Sequence, residues 1–323
     1  MTEIGYSLSS EEHGPAELVR HAELAERAGF GFALISDHFH PWTSAQGNSP
    51  FVWNVLGGIA TVTERMRVGT GVTCPLIRMH PAIVAQAAAT AAAMMPGRFF
   101  LGLGTGENLN EHVTGQRWPA SSERLEMLEE AIEVIRRLWT GEEVDHRGAH
   151  YRVIDARLYT LPPERIQLFV AASGTQAAEV AGRLGDGLIA TAPNPDVVSA
   201  FRSAGGGGPK IAQASVCWAA TEAEARRTAH AWWPTAALGG NLSQELPRPA
   251  EFEAAAELIT AGDVSETVVC GPDPDKHLAA IREYEEAGFD RVYVHQVGPD
   301  QEGFMRFYES RILPNVAGSA AAA

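Results

Sequence analysis

The sequence predicts an α/β fold, a closed (β/α)8 TIM barrel with insertions, on three observations. Apolar strand-like runs alternate with amphipathic helical stretches, and eight such runs can be counted along the chain. The runs read as strands buried on both faces, as in Gly31-Phe32-Ala33-Leu34-Ile35. Two of them empty into polar and titratable residues, Ser36-Asp37-His38 and Thr105-Gly106-Glu107-Asn108, at the strand end where α/β proteins build their sites.

In chain order the runs are residues 4–8, 32–36, 67–72, 98–103, 167–171, 187–191, 210–218 and 291–296. Amphipathic patterns occupy residues 15–28, 81–95, 122–139, 176–184 and 274–287. Two similar phrases, Glu26-Arg27-Ala28-Gly29-Phe30 and Glu285-Glu286-Ala287-Gly288-Phe289, each place glycine at a left-handed helix cap and then start a strand. Two stretches break the period: 140–165, strand-rich and containing Pro162-Pro163, and 221–264, a long helical insertion before the last unit. Gly205-Gly206-Gly207-Gly208 follows no strand and opens no helix, so it reads as a turn and not as a phosphate cradle. The expected organisation is one barrel domain over residues 1–316 and a flexible tail over 317–323.

Composition narrows the partners. At 45% hydrophobic residues the chain supports a large core, and no run approaches the roughly 20 apolar residues of a membrane span. Met1-Thr2-Glu3-Ile4-Gly5 carries neither a basic nor an apolar leader segment, which points to the cytoplasm. Cys74, Cys217 and Cys270 are widely spaced and form no Cys-x-x-Cys pair, so reduced thiols and no structural metal are expected. With 25 basic against 40 acidic side chains, net charge −15, neither nucleic acid nor an anionic membrane is an expected partner. Lysine occurs only at Lys210 and Lys276, so a bound phosphate must rely on arginine, helix N-termini and backbone amides.

His38 is a candidate proton carrier, with Asp37 as a neighbour able to hold its imidazole and Trp42 close behind; the alternative is a histidine bonded to backbone. Glu107 follows Gly102-x-Gly104-x-Gly106, glycines that let backbone approach a flat ligand, although the spacing is not that of a dinucleotide fold. Gly69-Thr70-Gly71-Val72-Thr73-Cys74-Pro75 ends the third strand in small residues suited to a ring system, or to an ordinary buried thiol at Cys74. Ser173-Gly174-Thr175-Gln176 opens a helix after the fifth strand and offers amides to a phosphate, or a plain cap by Ser173 or Thr175.

These blocks, together with Pro96-Gly97-Arg98-Phe99-Phe100-Leu101-Gly102-Leu103-Gly104-Thr105-Gly106-Glu107-Asn108-Leu109-Asn110-Glu111 and Gly185-Asp186-Gly187, resemble the luciferase-like barrel superfamily. Within it they are most similar to the deazaflavin-dependent branch typified by coenzyme F420-dependent glucose-6-phosphate dehydrogenase, over nearly the whole chain. The resemblance implies a bacterial luciferase-like (β/α)8 barrel and a homodimer. It also implies hydride transfer between an alcohol or carbonyl substrate and coenzyme F420, with flavin mononucleotide in a monooxygenase as the alternative. By the same resemblance, His38 and Glu107 are the acid/base pair and Trp42 lies over the reacting carbon. Asp37, Cys74, Thr105, Gly106 and Asn110 would line the cofactor, Gly71-Val72 would form a bulge, often with a cis peptide, beneath its ring, and Ser173, Gly174, Gln176 and Ala177 would hold its phosphate. A barrel that binds such a ligand without turnover is the other class of reading.

The chain departs from this branch where the substrate is chosen. Thr191-Ala192-Pro193-Asn194 and Phe252-Glu253-Ala254 stand where the sugar-phosphate enzymes carry lysines. An unpaired phosphate monoester would cost several kcal/mol, so an uncharged alcohol is expected.

Overall fold

The computed structural model describes residues 2–318. Its strands are β1 (Glu3–Leu8), β2 (Phe32–Ile35), β3 (Arg67–Thr70), β4 (Phe99–Leu103), β5 (Val144–Arg147), β6 (Arg152–Ala156), β7 (Gln167–Ala171), β8 (Gly187–Ala190), β9 (Lys210–Cys217), β10 (Val269–Cys270) and β11 (Arg291–Gln296). The parallel order β9-β11-β1-β2-β3-β4-β7-β8 closes on itself, because β8 also pairs with β9 through Leu188↔Lys210, Ile189↔Ile211 and Ala190↔Ala212. The eight strand-like runs are therefore the eight staves of a closed barrel. β3 stops at Thr70, before the expected Val72, and the Gly71–Val72 peptide that follows is cis.

Glycine and phenylalanine fill the barrel by turns. Gly5 is registered against Phe32, Gly69 against Phe100, and Gly187 against Phe169 on the neighbouring strand. A Cβ on each glycine would lie 2.5, 2.2 and 2.4 Å from that ring. Each ring thus occupies the space its partner leaves, which packs large against small within the layers of a barrel interior. Leu34, Ile189, Ile211 and Tyr293 complete this inner cluster. Outside, the larger core lies between the staves and the helices.

Helices Pro15–Ala28, Pro81–Met94, Ser121–Leu138, Thr175–Leu184 and Pro274–Glu286 match the amphipathic patterns. Val52–Val62 and Pro195–Ser203 were not visible as such. The first of these is uncharged and carries Gly57-Gly58, a pair that reads in a sequence as a break and not as a helix interior. Gly29 and Gly288 both take φ 95°, the left-handed value their shared phrase requires. The four-glycine run joins Pro195–Ser203 to β9. It contains one left-handed residue, Gly205, and lies on the face opposite the strand ends that carry chemistry.

The 140–165 excursion contains the antiparallel pair β5–β6, with the Tyr151 hydroxyl donating to the Leu76 carbonyl in the loop after β3. The 221–264 insertion contributes helices Glu222–Trp232, Leu242–Glu245, Pro249–Ala256 and Ala261–Thr267. Hydrogen bonds from the loops after β2 and β4 help to fasten it over the strand ends. Ser44 N donates to Glu253 Oε1 at 2.7 Å, Gln46 Nε2 to the Trp232 carbonyl at 3.2 Å, and Asn108 Nδ2 to the Glu245 carbonyl at 2.9 Å. The last helix runs Leu313–Gly318 and so takes in the first two positions of the expected tail; residues 319–323 lie outside the described residues. Among the described residues no helix is long and apolar enough to cross a membrane, and no group of three or more His, Cys, Asp or Glu could hold a metal ion.

Candidate active site

Three loops meet at the C-terminal ends of β1, β2 and β4. The loop after β2 brings His38, 8% exposed, with Nδ1 3.2 Å from the His40 carbonyl. That bond assigns the proton of the neutral ring to Nδ1, so Nε2 is the nitrogen that gains or loses a proton. Nε2 lies 3.3 Å from Glu11 Oε1 and 3.8 Å from Glu107 Oε2. The Trp42 ring stands 5.1 Å from the imidazole. His40 is held by the Leu109 carbonyl at 2.9 Å and stacks near His112, so its place is structural.

The partner of His38 is Glu11, not the adjacent Asp37 expected from the sequence. Glu11 follows β1, is 2% exposed, and accepts from the hydroxyls of Ser36 at 2.6 Å and Ser9 at 3.1 Å. Burial alone would raise its carboxyl; His38, the Ser36 hydroxyl, its own backbone amide and His295 outweigh burial and hold it below the usual carboxylate range. Asp37 points elsewhere, because a backbone neighbour in an extended segment projects to the opposite side. Its Oδ1 takes Arg78 at 2.8 Å and its Oδ2 the Thr73 hydroxyl at 2.7 Å. Arg78 is 3.5 Å from Glu111, whose carboxyl is pushed up by burial. Beside Glu11, Glu12 receives His295 at 2.7 Å and the Gly298 amide at 2.9 Å, with Trp233 over the His295 ring at 4.5 Å. Sequence reading missed Glu11, Glu12, Arg78, Glu111 and His295. The signal for the first two was Ser9-Ser10-Glu11-Glu12-His13 at the end of the first strand, the same strand-end pattern that identified His38.

Glu107 precedes the short helix Asn108–Glu111 and keeps its side chain 31% exposed. Asn110, 2% exposed, donates from Nδ2 to Glu107 Oε2 at 3.0 Å and accepts at Oδ1 from the amides of Phe39 and His40 at 2.9 and 3.2 Å. Gly106 takes φ 73°, and a Cβ there would stand 2.6 Å from Cys74 Sγ. Cys74 is 4% exposed and burial pushes its thiol up, so it is an inert packing group. Val72 packs beside Gly104 and Gly102.

A separate cluster lies after β7. Ser173, Gly174, Thr175 and Gln176 are exposed and Ala177 is half-buried. The helix Thr175–Leu184 is capped by Gly174 with no side-chain bond, so neither Ser173 nor Thr175 fills the cap as the plain alternative supposed. Its first amides remain directed outward as anion donors. Beyond β8, Asn194 caps Pro195–Ser203 through its side chain. In the insertion Phe252 is fully buried, its ring centroid 5.1 Å from that of Trp42 in an edge-to-face pair. Both lysines are paired, Lys210 with Asp290 and Lys276 with Glu222.

A family model described as luciferase-like monooxygenase matches residues 1–291. The chain belongs to this luciferase-like family. It is 35% identical over 327 residues to the F420-dependent glucose-6-phosphate dehydrogenase of Segniliparus rotundus, covering 97% of each protein. It is equally 35% identical to that of Nocardia farcinica over 333 residues, covering 98% of this chain and 99% of the other. Among solved structures, an F420-dependent secondary alcohol dehydrogenase in complex with an F420-acetone adduct superposes with a TM-score of 0.89 at 28% identity, covering 96% of this chain and 98% of that one. The luciferase-like barrel is thus shared with enzymes named for a sugar phosphate and with one named for a secondary alcohol.

Proposed function

We propose that this luciferase-like chain is a coenzyme F420-dependent oxidoreductase that interconverts an uncharged alcohol with its carbonyl compound, using His38 and Glu107 as the acid/base pair. The observation that carries the reading is the placement of His38 Nε2 between Glu11 and Glu107, 3.3 and 3.8 Å away, under Trp42. The residues fit the cofactor on two counts. The uncapped helix start at Gly174 offers free amides to its phosphate, and a Cβ at Gly174 would meet nothing within 4 Å. Gly106 admits no side chain beside Cys74, leaving bare backbone for a flat ring. Gly71, Val72, Cys74, Thr105 and Gly106 would line the ring, with Asp37 supporting them through Thr73 and Arg78. Ser173, Gly174, Gln176 and Ala177 would hold the phosphate.

When bound, the deazaflavin supplies the hydride acceptor or donor. In alcohol oxidation His38 Nε2, 3.3 Å from the Glu11 carboxylate, takes the hydroxyl proton. Glu107, anchored at Oε2, presents Oε1 as the proton donor. In the reverse direction His38 returns its proton to the substrate oxygen and Glu107 takes one back. The Glu11 carboxylate lies beside this point, and Asn194 and Ala254 supply no cation, so a phosphate on the substrate would be unpaired. The uncharged helices Val52–Val62 and Pro81–Met94, with Ile83 and Met94 exposed, are the surface on which a second copy would pack to form a homodimer; sedimentation velocity tests this.

The test is a titration with oxidised coenzyme F420 followed by loss of deazaflavin absorbance on adding secondary alcohols, free sugars and sugar phosphates. Bleaching by a neutral alcohol but not by glucose 6-phosphate is expected, with gain of sugar-phosphate turnover in the double variant Asn194→Lys, Ala254→Lys. Absence of cofactor binding, or oxygen consumption with reduced flavin mononucleotide, would overturn the proposal.

A further inference from the structure

Asn110 commits both acceptor positions of its amide oxygen, and one of its two amide hydrogens, to partners inside the protein. Two backbone amides, which can only donate, converge on Oδ1 from Phe39 and His40, so the other end of the amide must be Nδ2, and it faces Glu107 Oε2. A donor at that oxygen requires Glu107 to accept there. The same oxygen is the one His38 Nε2 approaches at 3.8 Å. At 2% exposure the amide has no water to exchange these bonds with, so each one lost leaves a buried polar group unpaired.

We infer that Asn110 is a positioning residue that ties the loop carrying His38 to the loop carrying Glu107, setting the two members of the acid/base pair in one geometry through a single buried side chain. This inference rests on the acid/base reading of those two residues. Its physical content is that one amide does two separable things. Oδ1 fixes the backbone immediately after His38, between the imidazole and Trp42. Nδ2 fixes one oxygen of Glu107 and leaves the other for proton transfer.

Two substitutions separate the functions. Asn110→Asp keeps an acceptor for the two amides but removes the donor to Glu107 and sets a carboxylate against it. Asn110→Ala removes both. In the protein without cofactor, amide hydrogen exchange across residues 36–42 should accelerate about tenfold or more in Asn110→Ala and stay within about threefold of the parent in Asn110→Asp. In the loaded enzyme, the limb of the pH–rate profile that Glu107→Gln abolishes should move upward by about one pH unit or more in Asn110→Asp, since two facing carboxylates hold a proton more tightly. Unchanged exchange in Asn110→Ala, or both pH limbs left in place by Asn110→Asp, would overturn the inference. A parent protein that neither binds nor turns over F420 would instead overturn the functional reading, and the exchange measurement would still decide whether Asn110 anchors the loop.

Discussion

The two regions proposed to hold the cofactor are built on opposite terms. At the ends of β1, β2 and β4, buried side chains hold one another: Glu11 with Ser36 and His38, Asp37 with Thr73 and Arg78, Asn110 with Glu107 and two backbone amides. At the end of β7 the backbone is exposed and the helix starts at an uncapped glycine. Proton transfer needs groups fixed to within a fraction of an ångström, so their bonds are satisfied in advance by the protein. Anion binding needs free donors, so there the bonds are left open for the ligand.

The largest expected effect sharpens this contrast at its crowded side. His38→Ala should reduce hydride transfer by about 10²–10⁴-fold while the F420 dissociation constant stays within about threefold, because a proton carrier and not a binding group is lost. Stopped-flow absorbance with a fluorescence titration reads both, and equal turnover would remove His38 from the reaction.

Acid sensitivity should belong to the same side. His21 packs edge-on against His13 at 4.7 Å, and burial, then the His13 charge, lowers it to about 4. The unfolded chain binds this proton near pH 6.5, so between about 6.5 and 4 it holds more protons than the native state and stability falls with acidification, by up to about 3 kcal/mol. Glu11 acts in the same direction: its depressed carboxyl adds stability above the ordinary carboxylate range that is lost as pH falls through the folded value. His21→Leu should therefore flatten stability between pH 7 and 5 in urea titrations; an unaltered slope would place the sensitivity elsewhere.

Gly106→Ala probes the seam with Cys74. A left-handed alanine pressed against that thiol should cost about 1–3 kcal/mol and lower Tm, and a neutral result would show that the loop has another conformation available. The smallest effect belongs to the open side. Gly174→Asp meets no steric barrier and supplies a cap, so Tm should rise slightly while F420 affinity falls by about tenfold, the carboxylate having taken the donors a phosphate would use. Equal affinity would move the phosphate away from this helix.

Much of the fold was legible because its signals are local. Eight buried strands, two glycine corners and five amphipathic helices each announce themselves within a dozen residues. Val52–Val62 escaped because Gly57-Gly58 stands in the middle of it, a pair that signals a turn unless tertiary packing holds the helix through it. In the site, strand-end position correctly singled out His38 and Glu107 as residues that come together. It paired His38 with Asp37 because they are adjacent in the chain, whereas the structure pairs it with Glu11, more than twenty residues earlier.

The sequence by itself determined the barrel, the strand-end loops that carry His38 and Glu107, and the absence of lysine from residues 191–194 and 252–254. These follow from residue type and period, which are properties of short segments. Tertiary structure alone decided which carboxylate faces which imidazole, that Asp37 belongs to Arg78, and that one asparagine links two loops. Such pairings depend on the direction of each side chain once the staves are registered. A rotation of one residue along a strand end exchanges partner for bystander without altering any pattern in the sequence.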